Sequence, residues 1–84
     1  MQRINEMPVD FIANLEALLA KGGDGATLRL ALSSRYLDTG DFASALKHAE
    51  AAVRLDVEYS AGWKALGRAL AAAGREAEAK ESYA

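Results

Sequence analysis

Trp63-Lys64-Ala65-Leu66-Gly67-Arg68-Ala69-Leu70 is followed by Gly74 and then by Ala79 and Tyr83, four residues apart. Trp63, Leu66 and Leu70 recur at the spacing of one helical face, Gly74 offers a turn, and Ala79 and Tyr83 resume the helical spacing beyond it. Moved back along the chain, the same pattern sets Gly40 under Gly74, Leu32 under Leu66, Tyr36 under Leu70 and Ala45 under Ala79. All four displacements are 34 residues. A fixed period of this length marks a helical repeat, in which each unit buries its apolar face against the next.

Working outward, Phe11, Ile12, Leu15, Leu18 and Leu19 form one apolar stripe, which predicts a helix over residues 8–21 opened by Pro8. Gly22-Gly23-Asp24-Gly25 ends it and leaves Asp24 to cap the following helix. Gly40-Asp41 divides the next stretch into helices over about 26–39 and 42–55, Gly40 ending one and Asp41 capping the other. Leu28, Leu32 and Tyr36 are expected to be buried from the first of these, and Ala45, Leu46, Ala49, Ala52 and Val53 from the second. A further helix is expected from Ser60 to a break at Gly74, and a last one from about Glu76. By the period that last helix extends to about residue 89, which leaves the equivalents of Ala52, Val53 and Leu55 beyond residue 84.

The W-x2-L-G start, the turn glycine and the Ala-x3-aromatic ending resemble the tetratricopeptide repeat family, in the manner of a small bacterial protein of that kind. The match covers residues 26–84 directly and 8–21 by register. It implies an all-α fold of about five helices, a right-handed superhelical stack of antiparallel helix pairs in one domain spanning 1–84. Residues 8–21 would be an N-terminal capping helix, 26–59 the first repeat and 60–84 a truncated second repeat. The first repeat carries Arg29 where the second has Trp63, Ser33 where it has Gly67, and Arg35 where the pattern has Ala; Val57 replaces the Pro usual between repeats. Trp63, Tyr36, Phe42 and Tyr83 fall at positions that are core in the family, and Tyr59 lies in the turn between repeats.

With 51% hydrophobic and 26% charged residues the chain has the balance of a folded globular domain. Ten Lys and Arg face twelve Asp and Glu, interspersed, for a net charge of −2, so no nucleic-acid surface is indicated. No apolar run is long enough for a membrane span or a secretion signal, and a cytoplasmic setting is expected. Cysteine is absent, which removes disulfides and thiolate metal sites. Catalysis needs convergent nucleophile, base and charge stabiliser, and the chain offers a single His48, expected to be solvated on an outer face. Ser33 and Ser34 have no histidine facing them, and the glycine turn lacks the strand and Lys of a phosphate loop. Glu76, Glu78 and Glu81 read as a solvated helix face. No enzyme, metal or cofactor is expected.

The resemblance places ligand contacts on the first helix of each repeat, at Thr27, Leu30, Ser34, Leu37 and Asp38, then at Ala61, Lys64, Arg68, Ala71 and Ala72. Leu30 and Leu37 share a face and would floor a concave groove, Ser34 lies between them, and Lys64 and Arg68 would edge it with positive charge. The expected function is a protein-interaction module whose groove takes a peptide segment with a large apolar side chain and an acidic group. The other reading is a structural unit that associates with a second copy of itself or forms part of a longer array, with Leu30 and Leu37 covered and Lys64 and Arg68 merely solvated.

Overall fold

The computed structural model describes the backbone of residues 7–83 and the side-chain surroundings of residues 11–77. Within that range every regular element is helical: α1 (Met7–Ala20), α2 (Ala26–Thr39), α3 (Phe42–Leu55) and α4 (Ser60–Tyr83). Two of the links are glycine-ended turns. Gly22 and Gly40 both take positive φ, 94° and 85°. At the second, Gly40 N–H donates to Leu37 O and Asp41 N–H to Tyr36 O, the paired closure that satisfies the last carbonyls of a helix. Asp41 then caps α3, its carboxylate accepting from Ser44 N–H at 3.2 Å and from Ser44 Oγ at 2.8 Å.

α2 and α3 form an antiparallel hairpin around this turn. Ser33 Oγ donates to Ala45 O at 2.8 Å and Arg29 reaches His48 at 3.0 Å, so the partner on α3 moves forward as the residue on α2 moves back. Leu32 and Ser33 are fully buried. The core proper is narrow: Ala45 and Ala49 of α3 meet Ala65 and Ala69 of α4, and Leu30, Tyr36, Leu37, Leu46 and Leu66 pack around them. Alanines let the two helix axes approach closely, and the larger side chains fill the margins.

α4 departs from expectation. It runs unbroken through Gly74, so the described residues contain four helices where about five were expected. The comparison with Gly40 gives the reason. Asp41 follows Gly40 and caps a new helix, whereas Arg75 follows Gly74 and offers no capping oxygen, and Glu76, Ala77, Glu78, Ala79 and Lys80 are all strong helix formers. A glycine inside a helix costs only about 1 kcal/mol relative to Ala, less than opening an uncapped break.

Other expectations are corrected as well. Asp24 does not cap α2; Gly25 holds that position without a side-chain cap, and Asp24 is engaged by Arg29. Of the apolar stripe on α1 only Leu15 is buried, while Phe11 and Leu18 are exposed. The guanidinium of Arg35 lies over the Phe11 ring at 5.4 Å. Trp63 is not core: it is 51% exposed, with Nε1 donating to Val57 O at 2.7 Å. Phe42 and Tyr59 are half-buried. The side chains of Glu78, Glu81 and Tyr83 lie outside the described residues.

Candidate functional site

The five residues expected to line a groove divide between α2 and α4. Leu30, Ser34 and Leu37 are all half-buried on α2, and the two leucines rest on the alanine cluster that α3 and α4 share. Part of each leucine thus remains open to solvent. Lys64 and Arg68 are exposed on α4, each one residue before a buried alanine, Ala65 or Ala69. One residue is about 100° around a helix, which sets both cations on the same shoulder of α4 beside its buried stripe. The leucines and the cations therefore belong to helices in direct contact.

A second cluster joins α1, α2 and α3, and reading the sequence by family register missed it. His48, expected on a solvated face, is 4% exposed. Its spacing carried the signal: Ala45, Ala49 and Ala52, three before, one after and four after, are all buried, so His48 lies on the buried stripe of α3. Arg29 Nη1 donates to His48 Nδ1 at 3.0 Å, and a guanidinium has no acceptor, so the imidazole is neutral with its proton on Nε2. That nitrogen faces Glu16 Oε2 at 3.5 Å. The same carboxylate oxygen accepts from Tyr36 OH at 2.6 Å, and the Tyr36 ring stacks on His48 at 5.5 Å, 4° from parallel. Arg29 also grips Asp24 with Nε and Nη2, at 2.8 and 3.1 Å.

The cluster is a structural clamp. Both ring nitrogens of His48 are committed to protein groups and the ring is enclosed, which leaves no lone pair or proton for a substrate. What it does is seat α1, through Glu16, on the α2–α3 hairpin, and it explains why Arg29 and Ser33 can replace Trp and Gly: both face polar partners on α3. Among the described residues no group of three His, Cys, Asp or Glu side chains could hold a metal ion, and no helix is long and apolar enough to cross a membrane.

The clamp sets a pH dependence. Burial holds the His48 imidazole below its ordinary 6.5, with Glu16 opposing the shift and Arg29 and Lys47 adding to it. The hydrogen bond to Glu16, with burial, pushes the Tyr36 phenol up to about 12 from 10.0. The Arg29 hydrogen bond keeps Asp24 below the usual carboxylate range. Below 6.5 the unfolded chain binds a proton that folded His48 refuses, so stability falls as pH drops through that window. Above 10.0 the unfolded chain loses a phenolic proton that folded Tyr36 keeps, so stability falls as pH rises towards 12. Urea unfolding followed across pH should therefore show a plateau from about 6.5 to 10. In Tyr36→Phe the alkaline fall should shrink while the acid fall remains.

A protein of Pseudomonas aeruginosa described as TPR repeat-containing is 49% identical to this chain over 72 residues, covering 86% of this chain and 69% of the relative. No protein-family model matches the chain. No solved structure matches it.

Proposed function

We propose, from the premise that this chain belongs to the tetratricopeptide repeat family, that it binds a peptide segment of another protein in a concave groove floored by Leu30 and Leu37. Protein partners are the family's ordinary ligands, and in this reading the helix pairs wind into a right-handed superhelical stack with the groove on its inner side. The observation that carries it is the placement of two partly open leucines, with Ser34 between them, on a helix that touches the one bearing Lys64 and Arg68. An apolar floor supplies affinity and the cations supply direction, which suits a segment with one large apolar side chain and a carboxylate nearby. Binding without catalysis is the role that such a surface performs, and the cytoplasmic setting belongs to the same proposal.

The test uses peptides selected from a random display library on the immobilised chain. Charge-assisted hydrogen bonds contribute about 1.5–3 kcal/mol each, so the pair Lys64→Glu and Arg68→Glu should weaken selected peptides at least about tenfold. The affinity of the native chain should also fall as salt is raised. Peptides that bind the charge-reversed chain equally well would remove the groove assignment.

A further inference from the structure

Of the glycines inside α4, Gly62 has a reason within the chain and Gly67 and Gly74 do not. A Cβ on Gly62 would meet Val53 Cγ1 at 3.4 Å and Tyr59 Cδ2 at 3.5 Å, where α4 lies against the end of α3 and its turn. Gly67 and Gly74, seven residues apart, would meet nothing within 4 Å, although a mid-helix glycine is unfavourable relative to alanine. Around them the helix is apolar and open. Trp63 and Leu70 are 51% and 52% exposed, and Trp63 Nε1 donates to Val57 O at 2.7 Å, which joins it to Val57, itself 64% exposed. At about 100° per residue, Trp63, Gly67, Leu70 and Gly74 lie within about 60° of one another, across the helix from the buried Ala65, Ala69 and Ala72. The face is a notch: bare backbone at Gly67 between two large side chains, one of them fixed by its hydrogen bond.

The charge along its border is of one sign. Lys64, Arg75 and Arg68 follow on one edge, at about 60°, 80° and 100° from Gly67, and all three are exposed. No acid occurs in α4 from Ser60 to Arg75, and the ion pairs among the described residues are made by Arg29, Arg35 and His48 rather than by these cations. The opposite edge carries Leu66, which packs against the core. An occupant therefore needs acid along one side only. The same face of a second copy does not meet that need: antiparallel pairing would set the cation row against itself, and parallel pairing would stack Trp63 on Trp63. A lipid surface would make no use of bare backbone between Trp63 and Leu70.

We propose that this face docks an amphipathic helix of another protein, whose large apolar side chains, seven residues apart, enter at Gly67 and Gly74 and whose Asp or Glu row lies beside Lys64, Arg68 and Arg75. Seven residues rise roughly 10.5 Å in either helix, so two partner side chains at that interval reach both glycines together. The absent side chain at Gly67 lets the two axes approach, and burial of Val57, Trp63 and Leu70 supplies the affinity. The site is separate from the floor made by Leu30 and Leu37, shares only cations of its edge with it, and stands on its own observations.

Trp63 is the only tryptophan, so its emission reports on this face. The probe is a synthetic helical peptide of about three heptads, with leucine at the first and fourth position of each and glutamate along one flank; its counterpart carries lysine on that flank. The glutamate peptide should shift Trp63 emission saturably to shorter wavelength, and the lysine peptide should bind at least about tenfold more weakly. Gly67→Leu fills the notch with a helix-favouring residue, so its helical circular dichroism should persist while its affinity for the glutamate peptide falls at least about tenfold. Because Gly67 is not part of the groove, that loss cannot come from a peptide seated on Leu30 and Leu37. No shift with the glutamate peptide, equal binding of the two peptides, or equal binding by the Gly67→Leu and native chains would each overturn the proposal. So would emission already blue-shifted in the chain alone: if it varied with concentration a second copy would be the occupant, and if it did not the chain would be covering its own face. A shift with vesicles of phosphatidylcholine and phosphatidylserine but none with the glutamate peptide would make this a lipid-binding face and overturn the proposal as well.

Discussion

Leu32→Ala lowers the unfolding free energy by about 2–5 kcal/mol. Leu32 of α2 is fully buried, one position from the Ser33 hydroxyl that bonds across to Ala45. Truncation there forfeits the transfer free energy of the lost carbons and opens a cavity that cannot collapse, because the hairpin is pinned at one end by the Gly40–Asp41 turn and along its length by Arg29, Ser33 and Tyr36. Total stability for a chain of this size sits near the low end of about 5–15 kcal/mol, so the variant should be substantially unfolded at room temperature. The urea midpoint, followed by circular dichroism, reads this directly. A loss under about 1 kcal/mol would mean that Leu32 is not enclosed as described.

Ala69→Leu produces the opposite fault and nearly as large an effect. Ala69 is fully buried where α4 meets the alanines of α3. Three additional carbons at that point force the helices apart or the side chain off its rotamer, at a cost of about 1–3 kcal/mol. The strain is local, so amide exchange should speed first in the N-terminal half of α4, with α2 and α3 protected longer. Ala71→Leu is the control: that alanine is exposed on the same helix, and the change should stay within about 0.5 kcal/mol. Equal effects from the two variants would mean that close approach of α3 and α4 does not stabilise the fold.

The helices themselves were readable in the sequence. Those expected over about 26–39 and 42–55 are α2 and α3 as observed, because Gly40 and Asp41 are a complete stop and start signal whose two halves are adjacent in the chain. Gly74 looked like the same signal but lacks its second half, and propensity on both sides carried the helix through. His48 was misplaced because family register outweighed its own helical phase, which sets it among buried alanines. The Glu16, Arg29, Tyr36 and His48 clamp joins residues up to 32 apart in sequence, and nothing in local pattern ties an acid on α1 to a histidine on α3. Trp63 shows the converse: its register position is a core one, but the helix that would enclose it continues along the axis of α4 instead. The family was legible because its spacing survives these substitutions.

The most direct test is a titration of the 15N-labelled chain with a display-selected peptide, read as amide shift changes residue by residue. Binding in the groove predicts the largest changes around Leu30, Ser34 and Leu37 on α2 and at Lys64 and Arg68 on α4. Changes confined to α1 and α3, with those five amides unmoved, would contradict it.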